Sequence, residues 1–185
     1  MLMARVTIPQ LTEKRKASLA QYGLKIVEHI DVDAFERVVV GYLDRHTVLH
    51  LATFSGSEVR STALEYFNDG LTVFVLSEGG GKIANIKARP QVSYTIADPY
   101  NPAEDFFGAA GLQVWGSASV FMKNDDPGRF QEIHRHARFA DALKKQGLGN
   151  QAAAINFYVI TIVPRKIIYL NYREGFRKAT WEQEA

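Results

Sequence analysis

Residues 60–92, which read RSTALEYFNDGLTVFVLSEGGGKIANIKARPQV, decide the fold of this chain. The pattern predicts a strand, a tight turn at Asp69–Gly70, a second, buried strand, three adjacent glycines and then a short helix. Glycines let backbone amides approach an anion closely, and a helix N-terminus favours negative charge. Lys82 adds a full positive charge to the loop, and Arg60 lies one hairpin away. The segment therefore predicts an anion-binding loop.

The glycine loop matches neither of the common nucleotide-binding motifs. The GxxxxGK[ST] phosphate loop is absent because Ile83 follows Lys82. The GxGxxG dinucleotide motif, with an acidic residue about 20 positions further on, is absent as well. A run of glycines is also common in plain flexible loops, and a single lysine after it is often solvated. The loop by itself leaves both interpretations open.

Outside this segment the chain predicts short strands joined by turns. Two of the predicted strands are separated by Pro164 and Arg165. Hairpin-linked strands of this length do not build a parallel βαβ sheet. The predicted fold class is mainly β with flanking helices, as a six- to seven-stranded antiparallel split β-barrel. The predicted strands are 47–53, 59–66, 71–76, 92–96, 112–122, 157–163 and 166–172.

Two helices are predicted to flank the strands. Asp33 with Glu36 three residues later is typical of a capping box, and the apolar spacing that follows predicts a helix to about residue 45. A long helix inserted before the last strands is predicted to begin at Asp126 and run through Lys145. We expect one domain, 1–185, with an N-terminal arm or helix (1–30), the barrel (31–175) and a C-terminal tail (176–185).

Composition narrows the function classes. The 185 residues are 46% hydrophobic and 23% charged, as in ordinary globular proteins. A formal net charge of +2 argues for neither nucleic acid nor a membrane surface as a partner. Zero cysteines exclude disulfides, iron–sulfur centres, cysteine-ligated zinc and a thiol nucleophile. No apolar run approaches the length of a membrane span and no signal peptide is present, so we expect a cytoplasmic location.

Three stretches, read in order, carry a resemblance to a known family. They are LATFSGSEVRSTALEYFNDGLTVFVLSEGGGKIANIKARPQVSY (51–94), VWGSASVF (114–121) and the strand pair ending in YL (169–170). With them the chain resembles the pyridoxamine 5′-phosphate oxidase-like family of FMN-binding split barrels, over roughly residues 48–172. The family's "K-x-x-N" element falls on Lys82 and Asn85, and its "NP-x-V" element on Arg89, Pro90 and Val92.

The resemblance implies FMN as the cofactor. The family's phosphate grip falls on Arg60, on Lys82 and on the loop 77–81, and the backbone of the strand after Arg60 is expected to lie along the flavin. Gln113 and Trp115 share one face of a long strand; Trp115 is either plain core or a wall for the flavin or its substrate. No catalytic residue and no metal site stands out. The implied cofactor-binding set is Arg60, Ser61, Thr62, Ala63, Val75, Leu76, Ser77, Gly80, Gly81, Lys82, Gln113 and Trp115.

Departures from the family pattern bear on the substrate. Glu65 stands where the vitamin-B6 oxidases carry a basic residue, and the ending NYREGFRKATWEQEA contains Arg173 and Arg177 but no histidine. We therefore expect an FMN-dependent oxidoreductase acting on a small molecule other than pyridoxamine 5′-phosphate. A non-catalytic flavin-binding or sensor module remains an alternative, as does a deazaflavin- or haem-binding split barrel. Haem is disfavoured because the C-terminal segment lacks a histidine and the chain lacks cysteine.

The resemblance also implies a homodimer with two flavins at the interface. Strand 112–122 and the Phe106–Phe107 loop are the expected seam. The remaining polar motifs are interpreted structurally. His134 and His136 point to different sides of a helix and cannot chelate one metal. His50 is expected to be structural, and the Arg165–Lys166 pair is interpreted as solvated surface.

Overall fold

The computed structural model describes residues 4–137, 145–147 and 154–184. Within these ranges the chain forms nine strands and four helices. In chain order they are β1 (Ala4–Thr7), α1 (Glu13–Ala20), α2 (Val32–Arg45), β2 (Val48–Phe54), β3 (Val59–Glu65), β4 (Phe67–Asp69), β5 (Thr72–Ser77), α3 (Gly81–Ala88), β6 (Gln91–Ala97), β7 (Ala110–Met122), α4 (Pro127–His134), β8 (Tyr158–Asn171) and β9 (Phe176–Gln183).

All strand pairs are antiparallel, which confirms the predicted fold class. The main path of the sheet runs β1-β9-β8-β7-β6-β2-β3, while β5 pairs with β8 and also with β4. The path ends at β1 on one side and β3 on the other, so the sheet does not close on itself. The result is a split barrel with flanking helices, built from nine strands rather than six or seven. Because β3 ends the path, one of its edges is unpaired by the sheet.

The two closing strands predicted on either side of Pro164 and Arg165 are in fact one strand, β8. The pairing of β7 with β8 shifts register between Trp115 and Gly116, so that Gly116 faces Pro164 and Arg165 has no partner on β7. Proline lacks a backbone N–H, and a bulge is one of the few places where a sheet tolerates it. The prediction of a strand break was wrong because the proline marks a bulge.

The segment 176–183 is not a tail, as predicted, but strand β9, which pairs with β8 and with β1. Phe176, Ala179 and Trp181 point into the core. The alternation is interrupted at Lys178, which has a positive φ of 59° and lies at a register shift. That interruption, together with the charged residues between the apolar ones, hides the strand period from a reading of the sequence.

The helices differ from prediction at their ends. The N-cap of α2 is Asp31, whose Oδ1 accepts a hydrogen bond from the Ala34 amide at 2.7 Å, and not Asp33. Helix α4 starts at the Asp126 N-cap as predicted but ends at His134, because the chain turns at residues 135–136. The predicted continuation to Lys145 crosses residues 138–144, which lie outside the described ranges.

Helix α2 packs into the concave side of the sheet and forms the centre of the main core. Its buried residues Phe35, Val39, Tyr42 and Leu43 meet inward-facing strand residues such as Tyr169. A second apolar cluster lies beneath α4. Strand β5 contributes to both clusters, with Val75 in the first and Phe74 in the second. The loop that follows β5 therefore starts from a firmly packed strand.

Candidate anion and cofactor site

The loop between β5 and α3 leaves the start of α3 open. Gly79 and Gly80 have φ angles of 134° and 96°, which side-chain-bearing residues rarely adopt. Gly80 is the N-cap of α3 and provides no side-chain hydrogen bond to the helix amides. The buried Ser77 hydroxyl closes the loop by accepting from the Gly79 amide at 3.2 Å. The Ile83 amide donates to the Gly80 carbonyl at 3.0 Å, and the Gly81 and Lys82 amides, which have no hydrogen-bond partner among the described residues, remain available to an anion.

Two cations converge on this helix start. A Cβ at position 81 would lie 2.5 Å from Nη1 of Arg60, so the guanidinium rests against the first turn of α3. Lys82 folds back over the loop, and its Nζ donates to the Gly79 carbonyl at 2.7 Å. We call Arg60 with residues 79–82 the glycine-loop site. The three-glycine run thus brings together residues that are a hairpin apart in the chain.

The two cations of the glycine-loop site are not engaged in salt bridges within the described part of the chain. Among the described residues neither Arg60 nor Lys82 forms a salt bridge. Two positive side chains beside the positive end of a helix dipole repel one another, and an anion removes that repulsion. The arrangement suits a phosphate, because a guanidinium fork, an ammonium and backbone amides supply several donors at once.

Helix α3 is held in place by two contacts with β2 and its turn. The Asn85 amide donates to the Thr53 hydroxyl at 3.1 Å, and both side chains are buried. Arg89 donates to the Ser55 carbonyl at 3.0 Å, with its guanidinium over the Phe54 ring. These residues of the "K-x-x-N" and "NP-x-V" elements therefore position the site.

The other residues of β3 and β5 that were predicted to bind the cofactor differ in how far their side chains are exposed to solvent. Ser61 and Ala63 are exposed and Thr62 is half-buried, along the strand whose outer edge is free. Val75 is fully buried in the main core, so its side chain does not reach an open surface. Leu76 is half-buried and packs against the second apolar cluster. Val75 can therefore contact a ligand near the loop only through its backbone.

Gln113 and Trp115 lie on the opposite face of the sheet from Arg60. Trp115 pairs with Ser93 on β6. Ser93 pairs with Ala52 on β2, and Ala52 pairs with Ser61 on β3. Three strand spacings of roughly 4.8 Å put Trp115 about 14 Å from Ser61. Arg60 points the other way because neighbouring residues of a strand alternate between faces. One chain therefore does not bring Trp115 and Arg60 together.

Tyr158 is a site-lining residue that the sequence did not reveal. It contributes to a cleft of about 440 Å³ with Gly79, Gly80 and Lys87, and the Lys87 ammonium lies 5.5 Å from the centre of its ring. Tyr158 begins β8 and reaches the loop only because β8 pairs with β5. No local pattern around residue 158 signals this contact.

Within the described ranges no group of three or more histidine, aspartate or glutamate side chains is arranged to hold a metal ion. His46 bonds to Asp98, and His136 lies 3.7 Å from Asp69. None of the described helices is both long and apolar enough to cross a membrane.

Comparison with known proteins places the fold. No protein-family model and no curated protein matches the chain. A structure from Listeria innocua, provisionally described as a pyridoxamine 5′-phosphate oxidase, is 25% identical, with a TM-score of 0.54 over 74% of this chain and 98% of its own. An FAD-binding protein from Mesorhizobium loti is 12% identical, with a TM-score of 0.51 over 99% and 100%.

A third structural neighbour binds a different group. HutZ, the haem storage protein from Vibrio cholerae, is 19% identical, with a TM-score of 0.53 over 70% of this chain and 89% of its own. Together these likenesses show the fold: the chain folds as a split barrel like that of the pyridoxamine 5′-phosphate oxidase-like proteins. Flavin-binding and haem-storing proteins therefore share this fold.

Proposed function

We propose that this protein binds FMN and uses it as an oxidoreductase acting on a small molecule. The observation that carries the proposal is the glycine-loop site, where Arg60 and Lys82 meet an uncapped helix N-terminus and neither forms a salt bridge with a described residue. FMN ends in a phosphate with close to two negative charges, which matches this donor set. When bound, the flavin supplies hydride or electron transfer.

The residues present also suit the flavin ring. The unpaired edge of β3 offers backbone donors and acceptors next to Arg60, and Ser61 and Ala63 are small enough for close approach. In this proposal Arg60 and Lys82 fix the phosphate, and the β3 backbone orients the ring. Haem fits the site less well, because its two propionates do not require a phosphate cradle and residues 137–185 contain no histidine.

A homodimer follows from the separation of the predicted residues. Gln113 and Trp115 lie on the sheet face opposite to Arg60, so they reach a flavin at the glycine-loop site only from a second copy. Phe106, 71% exposed, extends the same proposed seam, whereas Phe107 packs within the chain against Tyr22. A dimer by light scattering with two flavins supports this arrangement. A monomer that retains FMN tightly contradicts it.

The substrate is proposed to differ from pyridoxamine 5′-phosphate. Glu65 is exposed at the end of β3, and a carboxylate repels a substrate phosphate at close range. Arg173 is already bound to Asp105, with two hydrogen bonds of 2.9 and 2.5 Å. We expect no useful formation of pyridoxal phosphate from pyridoxamine 5′-phosphate and oxygen by the flavin-loaded protein. Turnover at the rate of a dedicated oxidase would place Glu65 away from the substrate.

The test of the cofactor is extraction and identification by mass spectrometry. The proposal expects a yellow protein that releases FMN on denaturation. A released deazaflavin or haem replaces FMN, and a colourless protein that takes up no added FMN overturns the proposal. Anaerobic reduction by NADH or NADPH then separates an enzyme from a flavin carrier or sensor, since a carrier stays oxidised.

A further inference from the structure

The ring of His46 bridges the end of helix α2 and the residue that follows strand β6. Its Nδ1 lies 2.8 Å from the backbone carbonyl of Tyr42, one helical turn earlier, and its Nε2 lies 2.7 Å from Oδ1 of Asp98. The His46 side chain is only 19% exposed, so the ring is enclosed by the groups it contacts. Both nitrogens of this ring are therefore engaged by the protein.

Both partners of the His46 ring are hydrogen-bond acceptors. A backbone carbonyl only accepts, and Oδ1 of Asp98 already accepts from the Tyr42 hydroxyl at 2.7 Å. Burial raises the pKa of that hydroxyl, so the phenol is the donor. A neutral imidazole has one N–H, and its other nitrogen would turn a lone pair towards an oxygen at hydrogen-bond distance. Only a ring with two N–H groups donates to both partners.

The charged groups around His46 are compatible with a charged ring. His46 is the C-cap of α2, where the helix dipole favours a cation. Arg45, on the same helix, is a like charge 5.7 Å from the centre of the Tyr42 ring, but Glu174 lies 3.9 Å from its guanidinium. On β8, Tyr169 packs against Tyr42, and burial raises the pKa of its hydroxyl, so it adds no charge.

The shared proton belongs to the ring and not to the carboxylate. Unperturbed histidine releases its proton near pH 6.5 and aspartate near pH 3.9, so imidazole is the stronger base by roughly two and a half units. Oδ1 of Asp98 also accepts from Tyr42, which further favours the carboxylate as an anion. The pair is thus an imidazolium beside a carboxylate.

We infer that His46 carries a proton on both ring nitrogens at neutral pH and acts as a pH-sensitive latch between α2 and the base of the loop 98–109. Asp98 closes that base, because its amide donates to the Ala110 carbonyl at 3.2 Å. The same loop carries Phe106, which is 71% exposed. The latch goes beyond the proposed flavin binding and does not depend on it.

The latch has a defined direction of pH dependence. The folded chain holds on His46 a proton that the unfolded chain releases above about pH 6.5. Folding therefore binds this proton, so the contribution of the latch to stability is full below that pH and is lost as the pH rises. Loss of the proton removes one of the two hydrogen bonds of the ring and loosens α2 from Asp98.

The direct test is the protonation of the histidine rings. In ¹⁵N-labelled full chain, long-range ¹H–¹⁵N correlation spectra show which ring nitrogens carry hydrogen. At about pH 7.5 we expect two protonated nitrogens at His46, while the exposed His29 and His50 are largely neutral. His46→Gln assigns the signal by its disappearance. A single protonated nitrogen at His46 at this pH overturns the inference.

A matched pair of carboxylate variants tests the partner. Asp98→Asn removes the negative charge and keeps the shape, so His46 should lose its second proton at about pH 7.5. Asp125→Asn, at an exposed carboxylate, is the control and should leave the ring doubly protonated. Tyr42→Phe should also leave it so, because the carboxylate remains. Retention of both protons in Asp98→Asn contradicts the role given to this carboxylate.

Urea titrations test the effect on stability. Between about pH 6 and pH 8.5 the folding equilibrium constant of the wild type should fall by about three- to tenfold relative to His46→Gln, since one bound proton changes it by at most tenfold per pH unit. A ratio that is constant or rises with pH refutes the latch. None of these measurements needs flavin, so their failure leaves the proposed cofactor untouched, and absence of FMN leaves the latch untouched.

Discussion

The glycine-loop site and the opposite end of the barrel handle positive charge in different ways. At the glycine-loop site, Arg60 and Lys82 lie beside a helix N-terminus and form no salt bridge with described residues. At the other end, Arg173 grips Asp105 through two hydrogen bonds, and the His46 ring bonds to Asp98 at 2.7 Å. Paired charges fix loops to the fold, whereas converging unpaired cations indicate that an anion comes from outside.

The paired end also shows how a structural cluster is satisfied from within. Oδ1 of Asp98 accepts hydrogen bonds from both the Tyr42 hydroxyl and His46, each at 2.7 Å. Burial raises the pKa of the Tyr42 hydroxyl, and the bond to Asp98 raises it further, so the phenol stays a donor. The cluster ties the end of α2 to the end of β6 through hydrogen bonds between its own side chains.

The largest expected effect comes from removing both unpaired cations. Arg60→Ala and Lys82→Ala should each weaken FMN binding by about ten- to a hundredfold, since a charge-assisted hydrogen bond contributes about 1.5–3 kcal/mol. The double variant should lose FMN during purification. Fluorescence titration with FMN measures the affinities, and Arg173→Ala, at the paired end, is the control with unchanged affinity. If both single variants copurify with full flavin, the phosphate site is elsewhere.

A smaller effect is expected at Gly81, which lets the Arg60 guanidinium lie against α3. In Gly81→Ala the new methyl displaces the end of that flexible side chain, so FMN binding should weaken about fivefold, equivalent to roughly 1 kcal/mol. Stability should hold or rise slightly, because alanine favours helix more than glycine does. Gly128→Ala is the control: it lies in α4, and the nearest atom to an added Cβ is 3.9 Å away. Equal FMN affinity in both variants would contradict the contact.

At the paired end, a loss of stability without a loss of cofactor is expected. Tyr42→Phe removes the hydroxyl donor to Asp98 and should cost about 1 kcal/mol in the free energy of unfolding, measured by urea titration. FMN affinity should not change. Tyr22→Phe, at an exposed ring, is the control and should change stability by less. A reduced FMN affinity in Tyr42→Phe would contradict the prediction that this region acts on stability alone.

The smallest effect concerns pH. Hydrogen bonds from Arg173 lower the pKa of Asp105, so this pair stabilises the fold above the unfolded pKa of aspartate, about 3.9. The contribution is lost as pH falls through the lower folded value. Arg173→Gln should therefore be slightly less stable than wild type at neutral pH, and the difference should shrink in urea titrations below about pH 4. A difference that grows on acidification would contradict the assigned pair.

Much of the glycine-loop site is predictable from sequence because its signals are local. The Asp69–Gly70 turn, the strand period of two and the three glycines before Lys82 set strand, turn and helix in order within residues 60–92. The class of fold follows from the same short-range patterns. Arg60 was expected beside the loop because it lies one hairpin away in the chain, and the structure places its guanidinium against Gly81.

What the sequence could not supply was long-range pairing. Strand β9 was missed because the bulge at Lys178 and the charged residues between its apolar ones hide its period, and only its second partner, β1, lies far away in the chain. The sheet order β3-β2-β6-β7 decides that Trp115 lies about 14 Å from Ser61 and on the face opposite to Arg60. Likewise, Arg165 has no partner on β7 because Gly116 pairs with Pro164.

The sequence by itself thus determined the local elements and the chemistry of the loop, since turns, caps and glycine conformations depend on neighbouring residues. Only the tertiary structure decided which side chains share a face and which charges remain unpaired. Those properties depend on strand order and register, and a shift of one residue turns every side chain of a strand to the other face.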